Sequence, residues 1–170
     1  LTYRLGIISF FMRIGKIDIY GKGWGRLNGL PPEWAKNLGV YFSTNRPVLC
    51  DDKVKTIGDY KFCLCIENAA FPGYITEKII DCYVAGVIPL YIGAPNVTEI
   101  LPPGSFIDLR KFKSPDDLDL YLEGLTELEA LKIIDKGRSY LNGTEGRMHS
   151  YECFAKEIEM LIRENVPHEQ

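Results

Sequence analysis

Histidine is scarce in this 170-residue chain, with only His149 and His168, and the five cysteines at 50, 63, 65, 82 and 153 include no CxxC pair. The usual spacings of a metal centre are therefore missing, and no metal site is expected. No run approaches the ~18 apolar residues that a membrane-spanning helix needs. The stretch Leu5 to Ile14 is short and broken by Arg13, and nothing resembles a signal peptide. Neither GxGxxG nor GxxxxGKS/T occurs. Gly21-Lys22-Gly23-Trp24-Gly25 is glycine-rich but reads as a flexible turn. Repeats and low-complexity tracts are absent. A net charge of −3 gives no global pull toward nucleic acid or anionic membrane, so any anion must be held by a few local cations.

What is there suits one soluble domain spanning 1–170, since 46% hydrophobic and 25% charged residues can bury a single core. The odd cysteine count, with Cys63 and Cys65 alternating on a strand and Cys82 in a helix, favours buried small hydrophobes. It also favours a reducing, cytoplasmic setting. An extracellular origin with one or two bridges stays open, as do a peripheral membrane location or a Golgi lumen. Leu1 is not methionine, so the chain is expected to begin inside a longer product.

The most informative stretch is Lys61 to Gly93, KFCLCIENAAFPGYITEKIIDCYVAGVIPLYIG. Phe62 to Ile66 and Val87 to Ile92 are short apolar runs of the kind buried in parallel sheets. One helix opening on Thr76-Glu77-Lys78 joins them, which makes a βαβ crossover. Its loop and helix start emerge at the carboxyl edge of the sheet, where open α/β folds bind ligands. Crowded there are Glu67, Asn68, Tyr74, Thr76, Glu77 and Lys78. A helix N-terminus offers unpaired N–H groups and partial positive charge, a ready anion site. A lysine in that first turn opposes the dipole. Lys78 therefore reads either as a phosphate ligand or as a solvated side chain pairing with Glu77 or Asp81.

Elsewhere, residues 3–14 predict a helix, Ile17 to Tyr20 a strand, and Asp51 to Asp59 a short helix. Between 26 and 47 the pattern is weak, with a short helix start at Pro31-Pro32-Glu33 and Trp34 as a packing residue. Gly93 to Asn96 predicts a turn, Val97 to Leu101 a helical turn, and Ser105 to Leu109 a strand. Ser114-Pro115-Asp116-Asp117 and Thr126-Glu127-Leu128-Glu129 are helix starts, the second a capping box. A last helix from about Ser150 to Glu164 has Cys153, Phe154, Ile158, Leu161 and Ile162 along one face. These stripes, like Leu118, Leu120, Tyr121, Leu122 and Leu125 before them, are expected to be core contacts. Asn96-Val97-Thr98 and Asn142-Gly143-Thr144 fit glycosylation sequons but read as ordinary turns.

Taken in order, YKFCLCIEN (Tyr60 to Asn68), YITEKIIDCY (Tyr74 to Tyr83), the strand ending in Gly93 and LPPGSFIDL (Leu101 to Leu109) with its downstream Ser-Pro-Asp-Asp-Leu helix resemble the C-terminal half of the α1,3-fucosyltransferase family, closest to bacterial members. The resemblance is strong over about 60–125 and extends weakly upstream, where Arg4 precedes the IDIYGKG segment as the family's arginine does.

The resemblance implies a GT-B glycosyltransferase whose Rossmann-like domain, a parallel sheet with helices on both faces and a helical C-terminal segment, holds GDP-fucose. Glu77 would meet the ribose hydroxyls. Lys78 and Arg4 would hold the diphosphate and stabilise it as leaving group. Asn68 and Tyr74 would wall the pocket, and Glu67 would either contribute or be paired for structure. No cofactor or metal is implied beyond the donor. The general base for an inverting transfer would come from an N-terminal acceptor domain expected to be missing here, so the fragment alone is expected to be inactive. A glycosyltransferase using another nucleotide sugar, or a non-enzymatic nucleotide-binding α/β module, are the alternatives. The segment Gly21 to Asp59 matches nothing recognisable, which leaves the guanine pocket unassigned.

Overall fold

Two apolar strands and the helix between them fold as the sequence predicts in the computed structural model, which describes residues 2–21 and 50–165 together with Pro32, Lys36 and Gly39. The weak segment with Pro31, Glu33 and Trp34 lies otherwise outside the described residues, as do Lys22 to Gly25. β1 (Phe62–Ile66) and β2 (Ile88–Ile92) pair in parallel, Phe62 opposite Ile88 and Ile66 opposite Ile92. β3 (Ile107–Asp108) adds in parallel to β2, giving the order β1-β2-β3. Among the fully described segments the α-helices in chain order are α1 (Thr2–Arg13), α2 (Lys53–Gly58), α3 (Glu77–Ala85), α4 (Val97–Ile100), α5 (Pro115–Gly124), α6 (Glu127–Asn142) and α7 (Tyr151–Asn165).

Right-handed crossovers that step the same way along a parallel sheet put their helices on the same face. Accordingly α3 and α4 share one side, where Ile79, Cys82, Tyr83 and Val97 pack with Cys65, Tyr91 and Phe106, joined by Tyr140 of α6. On the other face Ile7 and Phe11 of α1 and Leu118 of α5 cover Ile66, Ile88, Leu90 and Ile107. β2 is buried almost throughout because it is central and covered on both faces. The architecture is the expected α/β sandwich around a parallel sheet.

The caps follow local chemistry. Asp52 caps α2 through Lys55 N, Ser114 caps α5 through Asp117 N, and Thr126 with Glu129 closes the capping box of α6. α1 ends at Gly15, whose φ of 69° lets Lys16 N reach back to Phe11 O.

Three expectations fail. Residues 17–20 carry only a lone bridge, at Tyr20, in place of the predicted strand; the segment is held by Ile19 in the core and by side chains. Tyr60 Oη donates to Asp18 and meets the Tyr20 hydroxyl at 2.7 Å. The strand predicted over 105–109 keeps only Ile107–Asp108. Ser105 turns its N–H and hydroxyl back to Pro102 O, and the Asp108 carboxylate takes the Arg110 N–H to begin a 3-10 turn. The apolar stripe of α7 is not core: Phe154, Ile158, Leu161 and Ile162 are exposed and no residue of the helix is buried. Leu120 and Tyr121 of α5 are exposed as well, while Leu118 and Leu125 are buried. Periodicity reports that residues share a face, not that anything covers it.

Candidate functional site

β1 runs straight into the polar edge. Glu67 N continues the ladder by donating to Ile92 O at 2.9 Å, so the next side chains are delivered at a fixed position beyond the sheet. The Glu67 side chain is fully buried. It accepts from Thr76 N at 2.9 Å, from Thr76 Oγ1 at 2.9 Å and from Lys78 Nζ at 2.8 Å. Burying a carboxylate costs free energy, and these charge-assisted bonds offset that cost. Gly93 passes so close that a Cβ there would strike Glu67 Cγ and the Tyr91 hydroxyl. The Tyr91 hydroxyl in turn accepts from Ala94 N at 3.1 Å and fixes that turn.

The Thr76 hydroxyl is thus used on Glu67 and does not cap α3, which has no side-chain cap. The first-turn N–H groups of α3 remain for a ligand or water, with the partial positive charge of the helix behind them. Lys78 sits in that turn, a quarter exposed, with one ammonium proton on Glu67.

Arg4 approaches from α1 across the same strand end. Its Nη2 donates to Ile66 O and to Asn68 Oδ1, the latter at 3.1 Å. Arg4 and Lys78 line one cavity of about 650 Å³, bordered by Ile8, Lys53, Tyr60 and Cys63 along the edge of β1 that is unpaired in the sheet of the described residues. Two cations from separate helices therefore meet one opening at the carboxyl end of β1.

Glu77 points outward at the helix start, 66% exposed, with Lys53 of α2 at 3.8 Å; Lys53 pairs more closely with Asp81 at 2.7 Å. Burial alone would lower the Lys53 pKa, and the Asp81 carboxylate outweighs it and holds it raised. Tyr74 is partly exposed and edge-on to Phe71, with ring centroids 6.5 Å apart. Asn68 touches Arg4, but Asn68, Tyr74 and Glu77 are not in the cavity's lining. The partner of Lys78 is Glu67, neither Glu77 nor Asp81. Asn96 behaves as a turn residue, accepting from Gly73 N at 2.8 Å.

Sequence reasoning named Thr76 at the polar edge without its partner Glu67, and it missed two positioning groups. Lys53, at the start of α2, bore the same signal as Lys78, a lysine in a first turn, and went unread. Arg110 forks onto Asp108 and also donates to Pro95 O at 3.2 Å, tying the ends of β2 and β3 together; an Asp-x-Arg triplet after a strand was the available sign.

Residues 3–132 match Glycosyltransferase family 10 (fucosyltransferase) C-term. The alpha-(1,3)-fucosyltransferase FucT of Helicobacter pylori is 35% identical over 101 residues, 59% of this chain and 21% of its own length. GDP-fucose protein O-fucosyltransferase 3 of Xenopus laevis is 36% identical over 145 residues, 84% of this chain and 27% of its own length. The chain thus spans about a quarter of the length of these curated relatives. An alpha1,3-fucosyltransferase crystallised with GDP-fucose superposes with a TM-score of 0.53 at 28% identity, covering 75% of this chain and 39% of that one. With more than half of its residues inside the family match, on a fold shared with a solved member, the chain belongs to glycosyltransferase family 10, the fucosyltransferases.

Proposed function

We propose that this chain binds GDP-fucose at the carboxyl edge of its sheet and serves a fucosyl transfer that inverts the sugar carbon. The observation that carries the reading is the convergence of Arg4 and Lys78, from different helices, on one cavity beside the uncapped start of α3. A solved relative bound to GDP-fucose supports the choice of donor.

In this reading the diphosphate lies between Lys78, the first-turn N–H groups of α3 and Arg4. Glu67 holds the ammonium in place while two of its protons stay available, and Asn68 does the same for the guanidinium. Breaking the sugar–phosphate bond builds negative charge on the leaving diphosphate, so fixed positive groups stabilise the transition state more than the ground state. These groups supply that charge without a metal in the scheme. The Glu77 carboxylate, outside and largely exposed, takes the ribose hydroxyls, and Asn68 and Tyr74, outside the lining of the cavity, close on the donor from its rim. The base that takes the proton of the acceptor hydroxyl, and the groups that engage that glycan acceptor, lie outside these residues.

Calorimetric titration with GDP-fucose, GDP and UDP in parallel tests the reading. Guanosine-selective binding is expected, with Lys78→Ala and Arg4→Ala each weakening GDP at least about tenfold, or ~1.4 kcal/mol. Thr76 still satisfies Glu67 in the lysine variant, and Arg4→Ala leaves Glu67 untouched, so loss of affinity in both while both remain folded separates a ligand role from a structural one. Unchanged affinity in the two variants would end the phosphate assignment.

A further inference from the structure

Below the donor edge, β1 and α3 bring three cysteines together. Cys63 and Cys65 occupy alternate positions of β1 and so face the same way, and α3 lays Cys82 over them. Their sulfur atoms all lie within 4.8 Å of one another, and those of Cys65 and Cys82 are 3.2 Å apart. Both of these thiols also lie 3.3 Å from Lys78 O, to which they donate.

We propose that the sulfurs of Cys63, Cys65 and Cys82 form a binding site for one thiophilic metal ion, held as three thiolates. Size comes first. An ion about 2.3 Å from each sulfur keeps the sulfurs roughly 3.8–4.0 Å apart, inside the range that the cluster already spans. Small side-chain rotations complete the site. Chemistry comes second. Three sulfurs with no carboxylate or imidazole among them select Zn²⁺, Cd²⁺ or Cu⁺ over Mg²⁺, Ca²⁺ or Mn²⁺. Access comes third. Cys65 and Cys82 are sealed in the core, whereas Cys63 is partly exposed and lines the cavity. An ion enters past Cys63, and a tetrahedral ion keeps its fourth position on that side for water.

Three thiolates around a divalent ion leave one negative charge, and Lys53 on the same cavity wall provides the nearby cation. On binding, each thiol passes its proton to solvent as its sulfur bonds the ion; no electron moves and the ion keeps its oxidation state. Because two ligands come from β1 and one from α3, the ion cross-links the two elements whose ends carry Glu67, Asn68, Glu77 and Lys78. The spacing of these cysteines in sequence gives no hint of the site, since the third ligand arrives only through the crossover.

The test is a titration of the phosphine-reduced protein with Cd²⁺, read by ultraviolet thiolate-to-metal charge-transfer absorption and by thermal melting. Saturation near one equivalent, with a raised melting temperature, is expected. Cys50→Ala and Cys153→Ala should leave both readouts unchanged. Cys63→Ala alters only the partly exposed ligand and should weaken binding at least about tenfold. Cys82→Ser should do the same, and if it fails to fold the Cys63 variant alone decides. No band under reducing conditions overturns the proposal, as does a band that survives Cys63→Ala. A Cys65–Cys82 disulfide appearing in air by mass mapping, with no Cd²⁺ band in the reduced protein, would make the cluster a redox pair and likewise overturn it.

Discussion

Glu67→Gln changes one atom and one charge at the most heavily bonded side chain of the site. The carboxylate is fully buried and takes three donors: Thr76 N, Thr76 Oγ1 and Lys78 Nζ. A glutamine keeps one acceptor oxygen, which can still serve the Thr76 N–H. Its amide nitrogen then faces Thr76 Oγ1 and Lys78 Nζ, donor against donor. Each charged hydrogen bond contributes about 1.5–3 kcal/mol, and breaking a buried pair costs about 3–5 kcal/mol when the remaining charge is trapped. Lys78 is not trapped. Being a quarter exposed, it can swing to solvent, which removes part of that cost. The hydroxyl of Thr76 can rotate and accept from the amide.

A loss of about 2–4 kcal/mol remains, a large share of the ~5–15 kcal/mol that holds a domain together. Urea unfolding at neutral pH reads it directly, with an unchanged slope and a lowered midpoint. Glu77→Gln is the matched control. Its carboxylate is 66% exposed and only 3.8 Å from its nearest cation, so a change under about 0.5 kcal/mol is expected. If the two variants unfold together, or Glu67→Gln lies within about 0.5 kcal/mol of the parent, the hub assigned to Glu67 does not exist.

Glu77→Ala is expected to weaken GDP binding several-fold to tenfold, about 1 kcal/mol, with no change in the melting curve; a coupled loss of folding would show a structural carboxylate instead. Gly137→Ala sets two effects against each other, since alanine favours the helix by about 1 kcal/mol but its Cβ would press into the Tyr83 ring, which the Ser105 hydroxyl anchors at 2.6 Å. Overpacking at about 1–3 kcal/mol should win, and a variant more stable than the parent in urea would refute the close approach of α6 to α3. For Asp108, burial pushes the pKa up, but the Arg110 side chain and N–H outweigh it and hold it below the usual carboxylate range. A depressed folded pKa means stability that is present above the unfolded value and lost as pH falls through the folded one. Arg110→Ala should therefore destabilise at neutral pH and converge with the parent below about pH 4; a gap in urea midpoints that stays flat with pH would refute the pairing.

The βαβ unit was legible because apolar strand runs and a helix start are local signals, and both strands fall within a residue of where the pattern puts them. Lys78 was legible as an oddity but not in its partner. Helical side chains lean back toward the N-terminus, so Lys78 meets what precedes its helix in space, the end of β1, and not its sequence neighbours Glu77 or Asp81. Such a partner is invisible until the crossover is folded. The same holds for Cys82 over Cys63 and Cys65. The reading of α7 failed for the opposite reason: its stripe is a local signal, but what covers a stripe is a tertiary fact. Residues 17–20 alternate like a strand, yet a strand exists only by pairing.

Chain order along β1 also orders the chemistry, with cysteines midway, then Glu67 at the edge, then Asn68 at the opening. In the proposed reading Glu67 would therefore act on a ligand that it does not touch. A free lysine loses up to about 1.5–2 kcal/mol of rotamer entropy when it is fixed, and the 2.8 Å bond to Glu67 has already fixed Lys78 before any phosphate arrives. That preorganisation bounds the secondary effect of Glu67→Gln on GDP at roughly tenfold, less than the full loss expected when Lys78 itself is removed. The ranking is diagnostic: a glutamine variant that bound GDP more weakly than Lys78→Ala would mean that the carboxylate, and not the ammonium, is the group the nucleotide meets.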